Sequence, residues 1–125
     1  MKIRVASALA LTAASMFAAS AFAEAPPVAK GDMFVNSAGM TVYTFDNDKA
    51  NSGKSVCNDG CAKAWPPVMA DANAKAAGVW SIVTRDDGSK QWAYKGKPLY
   101  LFAKDTKPGE TTGDKFKDVW HVARP

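Results

Sequence analysis

The sequence predicts a mainly β fold: a small single domain of two pseudo-repeated β-hairpin or meander units, with one or two short helices. Three observations lead to this prediction. Short apolar runs alternate with turn-forming Gly, Asp, Asn and Pro throughout residues 32–125. The pair Asp87-Gly88 lies between two such runs, which is typical of a β-hairpin. A motif of Tyr, Phe and Asp occurs twice, so two copies of one unit are expected to share a core.

Residues 1–23 have the parts of a cleavable signal peptide. Lys2 and Arg4 give a positive start, and an uncharged apolar stretch then ends in Ala21-Phe22-Ala23, the small-x-small pattern that signal peptidase cuts. We therefore expect an exported protein, periplasmic or secreted, with no membrane anchor after cleavage. The adjacent prolines of residues 24–31 indicate a flexible lead-in to the domain.

The first half of the domain is expected to contain a hairpin followed by helical turns. Its predicted strands are residues 33–36 and 40–46, joined by a turn. One helical turn is predicted over residues 62–65, where two prolines end it, and the Ala-rich residues 70–77 predict a short helix.

The second half is expected to consist of strands. Residues 80–85 and 90–94 form the predicted hairpin around Asp87-Gly88. Residues 98–103 are apolar on both faces and predict a central strand, and residues 119–122 predict the last strand.

The chain has two cysteines, Cys57 and Cys61, separated by three turn-forming residues. In an exported chain, an even cysteine count at this spacing favours a disulfide that fixes a local turn. A redox-active pair is the alternative, although such pairs usually have two intervening residues.

The internal repeat has an offset of 57 residues along the sequence. Each copy has a Tyr and a Phe on one face of a strand, an Asp just after that strand, and a later Trp. One interpretation, which we favour, is a hydrophobic strand whose Asp anchors the following loop; the other is a pair of ligand-binding pockets. The candidate residues are Tyr43, Phe45, Asp48 and Trp65 in the first copy, and Tyr100, Phe102, Asp105 and Trp120 in the second.

These residues resemble the Tyr-x-(Phe/Trp/Tyr)-x-x-Asp motif of a bacterial secreted-repeat, predicted-lipoprotein family. Further similarities are residues 55–61 leading to Trp65-Pro66-Pro67, and residues 85–88, 91–100 and 108–111. The resemblance implies an extracytoplasmic domain at residues 32–125, with repeat units at about 33–67 and 90–125, whose biochemical function is not established. Many relatives are lipoproteins, whereas this chain has no lipid-accepting Cys at the predicted cleavage site.

Composition and motifs favour a non-enzymatic binding or structural module of the envelope, acting on an unknown ligand or protein. The formal charge of +4 includes Lys2 and Arg4, and the basic residues form no stripe, so no nucleic-acid partner is expected. No catalytic residues and no cofactor are predicted. The alternative is a redox-, metal- or haem-associated accessory protein, with His121 and Met40 as candidate ligands of copper or haem. A small envelope hydrolase is a third possibility.

Overall fold

The computed structural model describes residues 23–125. The predicted signal peptide lies outside these residues, apart from Ala23. Within residues 23–125, no helix has the length and apolar character needed to cross a bilayer.

The fold is mainly β, as predicted, and forms one small domain with short helices. The helical segments are α1, Gly60–Ala64, and a 3-10 helix, Phe116–Asp118. The strands are β1 Val28–Lys30, β2 Met33–Val35, β3 Tyr43–Phe45, β4 Met69–Ala70, β5 Trp80–Thr84, β6 Lys90–Tyr94, β7 Lys97–Pro98 and β8 Trp120–Val122.

All of the strand pairs are antiparallel. The largest sheet has the order β4-β6-β5, with β7 also on β6, and the β5–β6 hairpin turns where Asp87-Gly88 predicted it. β1 pairs with β2, and β3 pairs with the last strand, β8. Residues 43–45 and 120–122 are therefore joined in one sheet.

The two halves of the domain, residues 24–70 (the N-terminal half) and residues 80–125 (the C-terminal half), make matching hydrogen bonds to each other. Tyr43 and Tyr100 exchange backbone bonds, with N···O distances of 2.7 and 2.9 Å. The final segment of each half also bonds to the other half. These bonds run from Val68 N to Leu99 O at 2.9 Å and from Ala123 N to Val42 O at 2.8 Å.

Two clusters of buried side chains form the core, and each draws on both halves. Burial of their apolar surface supplies the main driving force for folding. The first cluster comprises Tyr43, Phe45, Cys57, Trp65, Tyr100, Phe102, Trp120 and Val122. The second comprises Phe34, Val42, Val68, Ala70, Trp92, Leu99 and Ala123.

Several local predictions differ from the structure. The hairpin predicted from residues 33–36 and 40–46 is reduced to a bridge between Val35 and Thr41, because β2 pairs with β1 and β3 pairs with β8. The helix predicted over residues 70–77 is absent: Asp71 accepts the backbone N–H of Asn73 through its side chain and that of Ala74 through its carbonyl, which makes a turn. Val28–Lys30, expected to belong to a flexible lead-in, pairs with β2 instead. The strand predicted over residues 98–103 extends only over Lys97–Pro98, although Tyr100 still bridges to both Tyr43 and Pro67.

Candidate functional site

The two Tyr/Asp motifs are buried, and the Tyr of each copy bonds to the Asp of the other copy. The Tyr43 hydroxyl donates to Asp105 Oδ2 at 2.6 Å, and the Tyr100 hydroxyl donates to Asp48 Oδ2 at 2.5 Å. Neither tyrosine has exposed surface, and Asp48 and Asp105 are 3% and 6% exposed, respectively. Each Tyr therefore depends on the Asp of the other copy, not on the Asp of its own copy. We call these two contacts the Tyr–Asp pairs.

Each Asp of the Tyr–Asp pairs also anchors the loop that follows it. Asp48 Oδ1 accepts the Val56 N–H at 2.8 Å, and Asp105 Oδ1 accepts the Thr112 N–H at 3.0 Å. Charge-assisted bonds of this kind are stronger than neutral ones. The loop-anchoring interpretation of the motif thus describes the observed contacts, and the added feature is the Tyr from the other half.

Burial raises the pKa of both motif tyrosines well above the usual phenol range. Donation to Asp105 raises the pKa of Tyr43 further, and donation to Asp48 does the same for Tyr100. Both phenols remain protonated at neutral pH and act as hydrogen-bond donors.

Four aromatic rings stack in a row that alternates between the halves. Phe45 stacks on Trp120 with centroids 4.1 Å apart, and Trp65 stacks on Phe102 at 4.0 Å. Between these pairs, Trp65 and Trp120 lie 3.8 Å apart with an interplanar angle of 2°. The Phe and Trp residues predicted as candidates are therefore brought together in the core.

The predicted disulfide between Cys57 and Cys61 is present and closes a loop of five residues, the disulfide loop. Cys57 is fully buried, and Cys61 is half-buried in α1. The turn at Asp59, with φ of 53°, precedes the helix, which Pro66 and Pro67 follow as predicted.

Arg85, which belongs to the C-terminal half, holds the disulfide loop in place and is itself only 7% exposed. Its Nη2 donates to Cys57 O at 2.6 Å and to Asn58 Oδ1 at 3.1 Å. Its Nη1 donates to Ser55 Oγ at 3.1 Å and to Gln91 Oε1 at 2.8 Å. Because Ser55 Oγ also lies 2.6 Å from the Tyr100 hydroxyl, one polar network joins Arg85 to the pair of Tyr100 and Asp48.

A cavity of about 630 Å³ lies beside this network. Its walls come from the disulfide loop and α1, the Pro66-Pro67 segment, β4, the β5–β6 turn and Glu24. The lining residues are Glu24, Asn58, Asp59, Ala62, Pro66, Pro67, Met69, Arg85, Asp86, Asp87 and Ser89. The volume falls within the range of small-molecule sites, roughly 300–1,000 Å³.

The charged residues of the cavity are in distinct environments. Burial raises the pKa of the Glu24 carboxyl. The backbone of Glu24 is held by two hydrogen bonds: its N–H donates to Met69 O at 2.8 Å, and its carbonyl accepts from Trp92 Nε1 at 2.7 Å. Hydrogen bonds from Ser89 lower the pKa of Asp87. The cavity thus contains a half-buried carboxyl at one wall and a solvated carboxylate at another.

None of the eight repeat-motif residues lines this cavity, and neither do the candidate metal ligands. His121 Nε2 lies 2.8 Å from Asp46 Oδ2 on the surface of the β3–β8 pair, and Met40 is half-buried in the preceding loop. Within residues 23–125, no group of three or more His, Cys, Asp or Glu side chains could hold a metal ion.

Sequence reasoning did not assign a role to Arg85, Ser55, Gln91 or Glu24. The available signals were the places of Ser55, Arg85 and Gln91 in segments that resemble the family, and the position of Glu24 directly after the predicted cleavage site. Neither signal shows that these residues meet, because the contacts join segments far apart in the chain.

The fold and these contacts define a class of protein: a small β domain in which two copies of one motif complete each other. The sequence matches a family described as a secreted repeat of unknown function, once over residues 28–69 and once over residues 81–124. The chain belongs to this family, and its membership supports export. No curated protein and no solved structure matches the chain.

Proposed function

We propose that this exported protein is a non-enzymatic binding module of the periplasm, and that the cavity beside the disulfide loop takes its small-molecule ligand. The observation that carries the proposal is the cavity itself. It has a suitable volume, apolar walls at Ala62, Met69 and the two prolines, and a small number of polar groups.

The walls of the cavity are fixed by contacts on all sides, which favours a preformed binding site. The disulfide and Arg85 hold the disulfide loop, and Glu24 is tied to Met69 and Trp92. A preformed site avoids much of the entropy cost of ordering loops around a ligand.

Two polar features bear on the ligand. Four acidic residues line the cavity and favour a cationic group on the ligand: Glu24, Asp59, Asp86 and Asp87. Arg85, by contrast, already directs its two Nη groups to four protein acceptors. We therefore expect a ligand that offers a donor, such as an ammonium group on an apolar stem.

The proposal is tested with residues 24–125 carrying the oxidised disulfide. Small aromatic and aliphatic fragments, each with one ammonium or one carboxylate, are titrated while backbone amide NMR signals are recorded. We expect saturable shifts centred on the cavity, with tighter binding of the ammonium set.

Two matched variants separate the cavity from the rest of the surface. Ala62→Trp places a large side chain at the cavity wall, and Ala76→Trp places one at an exposed position that does not line it. Binding should be lost in the first and kept in the second. Absence of saturable shifts with every fragment, or equal binding to both variants, would show that the cavity is not a ligand site.

A further inference from the structure

Many of the buried contacts of this domain are formed between its two halves. Both Tyr–Asp pairs, the alternating ring stack and the β3–β8 pairing all join residues 24–70 to residues 80–125. Either half alone has a buried Tyr without its carboxylate and a strand edge without its neighbour. Each half therefore needs a complementary half, and the contacts do not require that it come from the same chain.

The connecting segment between the halves, residues 71–79, contributes little to these contacts. All of its residues are exposed except Ala74, which is half-buried. Within the described part of the chain, the hydrogen bonds of residues 71–78 stay inside the segment 71–80. The family match also leaves residues 70–80 outside both copies of the repeat. A change of path here would cost few contacts.

We propose that two copies of this chain exchange halves and form a dimer, in which the N-terminal half of each copy pairs with the C-terminal half of the other. Every contact between the halves is preserved in such a dimer, and only the connecting segment changes its path. Exchange of identical elements is a low-cost route to a dimer because it uses an interface that already exists.

The sheet sets the length that the connecting segment must span in the monomer. Ala70 and Thr84 both lie beside Lys90, on opposite sides of β6, which places them about 10 Å apart. Trp80 lies four residues further along β5, about 13 Å away. Ala70 and Trp80 are thus roughly 16 Å apart, and the segment must bridge this distance.

Deletion of residues 72–78 tests the exchange directly. Asp71 and Val79 would remain between Ala70 and Trp80, and they can span at most about 11 Å. The monomer cannot close, whereas the exchanged dimer can. We expect light scattering to give twice the molar mass of one chain, with a folded near-UV circular dichroism spectrum. A folded monomer would overturn the proposal.

Complementary variants provide a second test that does not alter the connecting segment. The first variant carries Tyr43→Phe and Asp48→Asn, and the second carries Tyr100→Phe and Asp105→Asn. Each variant alone mismatches both Tyr–Asp pairs. An exchanged dimer of one copy of each variant restores both pairs in one of its two domains.

The two variants are refolded together at high concentration, and each is refolded separately as the matched control. We expect native mass spectrometry to detect the mixed dimer, and we expect the unfolding midpoint of its restored domain to exceed those of both separate variants. Wild-type protein refolded in the same way should give a dimer fraction that increases with concentration. If the mixture is the sum of its components and wild type remains monomeric at every concentration, the proposal is wrong, even where the deletion variant fails to fold.

Discussion

At the scale of single residues, the Tyr–Asp pairs are buried hydrogen bonds that join the two halves. A carboxylate buried to this degree must be hydrogen-bonded, because its desolvation costs several kcal/mol when no partner is present. Asp48 has the Tyr100 hydroxyl and the Val56 N–H as donors. The phenol therefore supplies a large part of the compensation for burying this charge.

We expect Tyr100→Phe to lower the free energy of unfolding by about 1–3 kcal/mol, because Asp48 then loses a buried donor. The double variant Tyr100→Phe/Asp48→Asn should lose less than the sum of the two single variants, since the carboxylate has also been removed. Urea unfolding of all four proteins measures this coupling. Tyr94→Phe is the control, because Tyr94 is half-buried and takes no part in the Tyr–Asp pairs. Additive losses would contradict the pairing.

Gly113 illustrates how closely the ring stack is packed. A Cβ at this position would lie 2.6 Å from Trp65 Cη2 and 2.9 Å from a Phe102 ring carbon. We expect Gly113→Ala to cost about 1–3 kcal/mol through displacement of the stack. Gly60→Ala is the matched control, since nothing lies within 4 Å of a Cβ there, and Ala favours the first turn of α1. Thermal unfolding of both variants distinguishes local crowding from a general sensitivity to Gly replacement.

At the scale of elements, the disulfide loop links the ring stack to the cavity. Cys57 packs in the first core cluster, its carbonyl accepts from Arg85, and its neighbour Asn58 lines the cavity. A bridge over so few residues restricts the unfolded chain only modestly. Its main structural effect is to fix the acceptors that Arg85 requires.

Replacing both cysteines by alanine should lower the free energy of unfolding by about 2 kcal/mol, from the loss of the short loop closure. The folded state should loosen locally, which hydrogen exchange detects as faster exchange of amides in residues 55–62. Arg85→Gln is the comparison, because it removes the cation but keeps the bridge. If exchange is faster only in the cysteine variant, Arg85 is not what holds the loop.

The sequence was informative about elements with strong local signals and misleading where tertiary contacts decide. Asp87-Gly88 predicted a hairpin that is present, since this turn depends on its own backbone conformation. The helix predicted over residues 70–77 is wrong because Asp71 bonds to the backbone ahead of it, which competes with the helix despite the run of alanines. Strands β3 and β7 are shorter than the apolar runs that predicted them, because the segments that pair with these runs change after a few residues.

At the scale of the whole molecule, neither the cavity nor the pairing of each Tyr with the Asp of the other copy could be predicted from the sequence. The motif revealed Tyr and Asp in each copy, but only tertiary structure decides that Tyr43 meets Asp105. The cavity gathers Glu24, the disulfide loop and the β5–β6 turn from separate parts of the chain. No local sequence pattern indicates which distant segments of the chain contact each other.

Alkaline pH tests the stability of the whole domain through its two buried phenols. Their pKa values are raised in the folded state, so the native protein retains these protons at a pH where the unfolded chain, with phenol pKa near about 10, releases them. The stabilisation is therefore complete below about pH 10 and falls as the pH rises above that value, by up to about 1.4 kcal/mol per pH unit for each phenol.

We expect the free energy of unfolding of wild type to fall more steeply above about pH 10 than that of Tyr43→Phe/Tyr100→Phe, which has no such protons to lose. Urea unfolding at a series of alkaline pH values measures both slopes. All other ionisable groups are the same in both proteins, so their contributions cancel in the comparison. Parallel slopes would mean that the phenols ionise in the native state as readily as in the unfolded chain.

The pairing of each Tyr with the Asp of the other copy also constrains how this protein can evolve. A substitution at Tyr43 removes a hydrogen-bond donor from Asp105, 62 positions away, and not from Asp48 in the same copy. We therefore expect substitutions in the two copies to be coupled, because each copy supplies hydrogen-bond and packing partners to the other. Selection therefore acts on the two copies as one unit, and a relative with a single copy would have to obtain the missing half from a second molecule.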